Sequence, residues 1–160
     1  MIAATRKKKI SDIAHYVASQ FYQSNATDME AIAKFEGLQY YHDHYEDAFD
    51  GMLLHDNKDF HIHINIDKGN SLSSKRGKFT LAHEYGHYFI DEHRIGLLTG
   101  KIAPRGSLHN VSQKDLIEYE ADYFASCLLM PENRFRNFSG CRSKKFSLET
   151  ILIINRYQNY

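Results

Sequence analysis

The sequence predicts an α+β fold, with several helices packed on a small three-stranded antiparallel sheet. Three observations carry this. Residues 60–66, Phe-His-Ile-His-Ile-Asn-Ile, alternate apolar and polar with a period of two, the pattern of a half-buried strand. Ile10, Ile13, Val17 and Phe21 recur at spacings of three and four, which is one stripe of a helix. Two further segments, about 74–91 and 112–130, carry helical apolar patterns on either side of a glycine-containing stretch.

Taken in order, residues 10–23 read as an amphipathic helix, with Ala14 and Ala18 completing its apolar face. Ser24 to Ala26 break it. Thr27 with Glu30 three residues on forms a capping box for a second helix through about Phe35, which Gly37 ends. Residues 38–41 form a short strand, and 42–50 are a polar, acidic loop. Gly51 opens an extended segment, Met52 to His55, and Asp56 to Asp59 have turn chemistry. With residues 60–66 this makes a hairpin. Ile62, Ile64 and Ile66 face one side, and His61, His63 and Asn65 the other. Phe79, Ala82, Tyr85, Gly86 and Phe89 line the inner side of the helix at 74–91. Residues 96–112 read as a long loop. Ser112 caps the next helix, which Pro131 stops. Residues 132–145 are basic and irregular, and 147–157 are helical. One domain spanning 1–160 is expected.

Composition narrows the function classes. The chain has 160 residues and balanced charge, 20 Lys plus Arg against 20 Asp plus Glu. That balance argues against a nucleic-acid binder. The one basic run, Arg6 to Lys9, reads as a solvated tail. Two cysteines, Cys127 and Cys141, are too few for a disulfide scaffold, so a reduced, cytoplasmic protein is expected. No stretch has the length of a membrane span or the form of a signal peptide.

The chemistry lies in His83-Glu84-Tyr85-Gly86-His87. Two histidines four residues apart on a helix project both imidazoles from one face. That spacing suits one tetrahedral zinc ion held through two nitrogens at about 2.0–2.1 Å. Glu84 lies about a hundred degrees further round the helix. It is placed to act as general base on a water whose pKa the metal lowers towards ~7. The bland reading is two histidines sharing a helix face by chance. At this composition a chance HExxH arises with a probability of roughly 3%, and the apolar residues around it already mark a packed helix. Gly86 permits close approach by another backbone.

A third ligand must come from elsewhere, and Glu118-Tyr119-Glu120-Ala121-Asp122 offers three acids. Helical geometry groups Glu118 with Ala121, Asp122 and Ala125. Glu118 is therefore the favoured ligand, and Asp122 the group that accepts a hydrogen bond from a liganding histidine. Glu120 points about 160° away from Glu118, so a solvated position is expected for it. For any single acid, the ordinary fate is a solvated helix face. Other histidines are weaker candidates. His93 fails the HExxHxxGxxH pattern, because position 90 is Ile. His61 and His63 share a strand face that is expected to meet solvent. His109 lies in the long loop. If residues 60–66 form a sheet edge, an extended peptide would bind there as an added strand.

Phe79-Thr80-Leu81-Ala82-His83-Glu84-Tyr85-Gly86-His87-Tyr88, followed by Glu118-Tyr119-Glu120-Ala121-Asp122-Tyr123-Phe124-Ala125 and Leu128-Leu129-Met130-Pro131, resembles the paired blocks of the ImmA/IrrE metallo-endopeptidases. The resemblance covers residues 28–131. It implies a minimal, gluzincin-like zincin fold with Glu118 as third zinc ligand. Asp122 stands where the family more often has Asn. The resemblance also implies a bacterial or phage protein that cuts a regulatory protein, with a helix-turn-helix repressor as the expected target. Many relatives carry a further domain or a longer C-terminal part. The last helix here stops inside a periodic segment at Tyr160, as expected of either a fragment or a minimal protein. The expected cofactor is one Zn2+, with Mn2+ as the alternative metal. The competing reading is a zinc-containing module that docks on a repressor without cutting it. Glu84 favours the enzyme, because a structural site needs no general base.

Overall fold

The computed structural model describes residues 2–24, 26–104, 106–107 and 115–131. Helix α1 spans Ala4–Gln20 and buries Ile10, Ile13, Ala14, Val17 and Ala18, the stripe the periodicity marks. It starts six residues earlier than that stripe, so the basic run is helical and not a tail. Ion pairs described below hold it there.

A two-residue ribbon follows, β1 (Tyr22–Gln23) against β2 (Ala26–Thr27). Thr27 does not cap the next helix. Its hydroxyl donates instead to the Leu128 carbonyl at 2.8 Å. Asp28 is the cap of α2 (Met29–Glu36), accepting from the Ala31 amide, and Gly37 closes the helix with φ of 69°.

The sheet differs from the expected three-stranded antiparallel one. It has four strands in the order β3-β5-β4-β6: β3 (Gln39–Asp43), β5 (Phe60–Asn65), β4 (Gly51–His55) and β6 (Gly106–Ser107). The β4–β5 hairpin is antiparallel as expected, but β3 runs parallel to β5. The connection at 44–50 is what permits this. It crosses from β3 past β5 to β4, and the Asn65 side chain fastens it by donating to the carbonyls of Glu46 (2.7 Å) and Phe49 (2.8 Å). The most apolar strand thus becomes interior, with Ile62 and Ile64 fully buried. Strand β5 is therefore not an edge, and the added-strand binding mode at residues 60–66 does not hold. Beside β4, Gly106 and Ser107 pair with Met52 and Gly51.

Helix α3 (Lys75–Phe89) lies across the sheet, capped by Ser74, whose hydroxyl accepts from the Gly77 amide at 2.9 Å. Ile90 then breaks the helix, and a short α4 (Asp91–Leu98) continues where the sequence reading extends α3 and opens a loop. Helix α5 (Leu116–Leu129) packs along α3. Its cap is Asp115; Ser112 lies outside the described residues, as do the C-terminal helix, Cys141 and His109. Gly86 sets the separation of these two helices: a Cβ there would lie 2.9 Å from the Ala121 Cα. Leu81, Ala82, Tyr85, Phe124, Ala125 and Leu128 fill the interface with the sheet and α1. Cys127 packs half-buried at the margin of this core. No described helix is long and apolar enough to cross a membrane.

Candidate metal centre

The middle of α3 presents His83, Glu84 and His87, all buried. Successive residues of a helix point to different sides, so burying three polar residues here requires neighbours on several faces. Helix α5 supplies one and the head of β4 supplies another. The packing at Gly86 brings α5 close enough for Glu118 to reach both histidines.

The geometry is that of converging donors. His83 Nε2 and His87 Nε2 are 3.1 Å apart. Glu118 Oε2 is 3.2 Å from His83 Nε2, and Glu118 Oε1 is 3.5 Å from His87 Nε2. One ligand atom from each of the three residues lies within 4.8 Å of the others, the one such group among the described residues. Tetrahedral ligands at about 2.0–2.1 Å from a metal are separated by about 3.3 Å. The observed spacings fall around that value, so the donor set fits a zinc-sized ion. Glu118 Oε1 is also buried with no hydrogen-bond partner among the described residues, a costly arrangement without a cation. Two imidazole nitrogens and a carboxylate suit zinc chemistry.

Asp122 Oδ1 lies 2.9 Å from His83 Nδ1, on the far side of the ring from the converging nitrogens. A carboxylate there makes Nδ1 the protonated nitrogen and turns the Nε2 lone pair towards the donor cluster. Electrostatics follow from the burial. Desolvation opposes charge on His83, but Asp122 and Glu118 overcome it and raise its pKa to about 9. Burial likewise opposes charge on Glu118, yet His83 and His87 hold it well below the usual carboxylate range.

Glu84 is fully buried beside the head of β4. A Cβ at Gly51 would lie 2.8 Å from Glu84 Oε1 and 2.6 Å from Thr80 Cγ2. Only glycine lets the carboxylate rest against this strand. Next to it is a cavity of about 10 Å³, lined by Glu84, His87 and Glu118 with Leu53, Leu97 and Ile117 among its apolar walls. That is room for roughly one water. A buried carboxylate, a donor cluster and a water-sized space thus meet at one point.

The other sequence candidates lie elsewhere. His61 is bonded to Asp56 at 2.8 Å and His63 to Tyr45 at 2.7 Å, and neither joins the cluster. Tyr85 points into the core, where its hydroxyl donates to the Met29 carbonyl at 2.6 Å. Tyr88 donates to Glu36 at 3.1 Å. Glu120, expected in solvent, is 5% exposed. Its correction has a plain cause: Arg6 reaches it from α1, with Nε to Oε1 at 2.9 Å and a second bond to Oε2 at 2.5 Å. Sequence reasoning also missed Gly51. A glycine opening a strand reads as a turn residue, and its contact with Glu84 is not local in sequence. The Asp50 carboxylate beside it is buried and accepts from Arg76 and Asn70, tying the head of β4 to the first turn of α3.

Comparison with known families places these features in context. Residues 53–142, more than half of the chain, match the IrrE N-terminal-like domain of peptidase family M78. No curated protein matches the chain. The match takes in the last three residues of β4, all of α3 and all of α5, and the two helices carry every residue of the cluster. The fold thus holds a candidate His-His-Glu metal site within a segment that matches a metallopeptidase-type domain, and the chain belongs to the IrrE N-terminal-like family of M78 peptidases.

Proposed function

We propose that this chain is a zinc-dependent endopeptidase that hydrolyses a peptide bond in a regulatory protein, with a helix-turn-helix repressor of a stress response or mobile element as the target. The observation that carries the reading is the juxtaposition of Glu84 with the His83, His87 and Glu118 donors around a water-sized cavity. The regulatory target rests on the resemblance to the ImmA/IrrE enzymes.

His83, His87 and Glu118 would hold the ion, and Asp122 would orient His83. Zinc held there would supply Lewis acidity, polarising the scissile carbonyl and lowering the pKa of a water. Glu84 accepts a proton from that water as its oxygen bonds to the carbonyl carbon. The C–N bond then breaks, and Glu84 returns the proton to the departing amine nitrogen. The products are a carboxylic acid and an amine, which settle as carboxylate and ammonium once the second water proton passes to the amine, and Glu84 ends as it began. The apolar walls formed by Leu53, Leu97 and Ile117 keep bulk water away, which strengthens each electrostatic contact.

Glu84→Gln tests the reading. The variant keeps the volume and the metal donors, so one zinc per chain is expected, measured by elemental analysis of the purified protein. Cleavage of a repressor encoded beside this chain's gene, followed by mass spectrometry, is expected to fall by at least about a thousandfold, in line with removal of a general base and proton donor together. Retained cleavage in that variant would sink the enzyme mechanism.

A further inference from the structure

Three features that the metal site does not use come together behind it. His93 fails the HExxHxxGxxH pattern, Glu120 is not a donor, and Arg6 belongs to the N-terminal basic run. In the fold they form one chain of contacts. His93 Nε2 lies 3.1 Å from Glu120 Oε2. Glu120 accepts two bonds from the Arg6 guanidinium. Arg6 also reaches Glu92 at 2.8 Å, and Lys9 joins Glu92 at 3.0 Å. Helix α1 therefore clasps α4 and α5 at one junction. At the other end of the chain the His93 ring packs on the His87 ring, with centroids 5.2 Å apart and planes tilted by 40°.

The carboxylate beside it makes Nε2 the protonated ring nitrogen, so His93 Nε2–H donates to Glu120, and the other ring nitrogen, Nδ1, is buried with no hydrogen-bond partner among the described residues. An apolar side chain would fill the same place without that desolvation cost. What an apolar residue lacks is the bond that fixes the plane of the ring lying against His87.

We infer that His93, oriented by Glu120 and Arg6, is a positioning residue that holds the His87 imidazole in its metal-binding rotamer. This rests on the proposed metal site. Hydrogen-bonded outer partners of metal ligands change affinity by about 10–100-fold. A packing contact is expected to act somewhat more weakly.

The test is zinc binding by the whole chain, prepared metal-free and titrated against a competing chelator, with Co2+ substitution as a report on ligand geometry. His93→Ala is expected to lower zinc affinity about 5- to 20-fold and to move the visible cobalt bands at saturating metal. Arg6→Gln, at the half-exposed end of the chain, is expected to lower affinity about threefold with a smaller band shift. A role confined to stability would lower the melting temperature of the metal-free protein and leave the saturated cobalt spectrum unmoved, and that outcome overturns the inference. Should His93→Ala fail to fold, Arg6→Gln decides by the same two readouts. Wild-type protein that takes up no zinc sinks the proposed function, and the inference with it. Wild-type uptake with both variants unmoved sinks the inference alone.

Discussion

Helix α5 carries two largely buried acids two residues apart, Glu118 and Glu120, and they are neutralised in different ways. Glu120 faces Arg6, whose guanidinium is charged at any accessible pH. Glu118 faces His83 and His87, whose charge is optional. The rear acid has a permanent counter-ion from its own chain. The front acid's counter-ion is exchangeable, either a proton shared with His83 or a metal ion. Burial alone does not mark a metal ligand. What distinguishes Glu118 is that its partners are themselves donors, and that one of its oxygens is buried and unbonded among the described residues.

The strongest way to break the comparison is to remove each acid in turn. Glu118→Ala deletes one of three donors, so zinc affinity is expected to fall by more than about a hundredfold, beyond the range for outer partners. The metal-free fold should lose the stability of the Glu118 contacts with His83 and His87, a smaller loss than removal of Glu120 brings, because Asp122 still pairs with His83. Glu120→Ala should do the reverse. It leaves Arg6 with Glu92 as its acid and the His93 Nε2–H without its acceptor in a buried place, at a cost of about 1–3 kcal/mol in denaturant unfolding. Its zinc affinity should fall only severalfold. Equal effects of the two variants on zinc binding would erase the distinction between the acids.

Titration sharpens the same contrast. The raised His83 pKa contributes stability that is complete below its ordinary value of 6.5 and is lost as pH rises through about 9. The lowered Glu118 pKa contributes stability that is present above its ordinary 4.5 and is lost as pH falls towards its depressed value. Metal-free protein is therefore expected to melt highest between about pH 4.5 and 6.5 and to weaken towards pH 9. Saturating zinc replaces the proton on His83, so the alkaline decline should disappear from the melting curves. Zinc affinity itself should rise with pH over the same interval. A melting temperature that falls equally with and without zinc would contradict this account.

The front site was legible in the sequence because its spacing is local. Four residues separate His83 from His87 on α3, and four separate Glu118 from Asp122 on α5, so helical geometry alone groups each pair. The rear contacts were not legible. Arg6 and Glu120 are 114 positions apart, and nothing in either neighbourhood signals the other. The sheet divides in the same way. The β4–β5 hairpin follows from alternation and a turn, both local properties. The parallel placing of β3 depends on how Asn65 holds the 44–50 connection, which periodicity does not encode. Helix α4 was missed because its eight residues follow directly on α3, with the break at Ile90 marked by neither glycine nor proline.

The smallest expected effect concerns how the front acid is presented. The Asp115 carboxylate caps α5 by accepting the amide of Glu118 itself, at 3.1 Å. The cap therefore fixes the first turn from which the Glu118 side chain departs. Asp115→Ala should cost about 1 kcal/mol of stability, the usual value of an N-cap, measured by denaturant unfolding of the metal-free protein. Fraying confined to the first turn would move Glu118 and leave Asp122 and Glu120, further along the helix, in place. Zinc affinity should then fall about two- to fivefold while the Arg6–Glu120 side is unaffected. Asp115→Asn separates the two consequences of the cap. It keeps the hydrogen bond and removes a negative charge near the donor cluster, so stability should return and any residual loss of zinc affinity measures the charge alone. Full recovery of both would assign the whole effect to the geometry of the first turn.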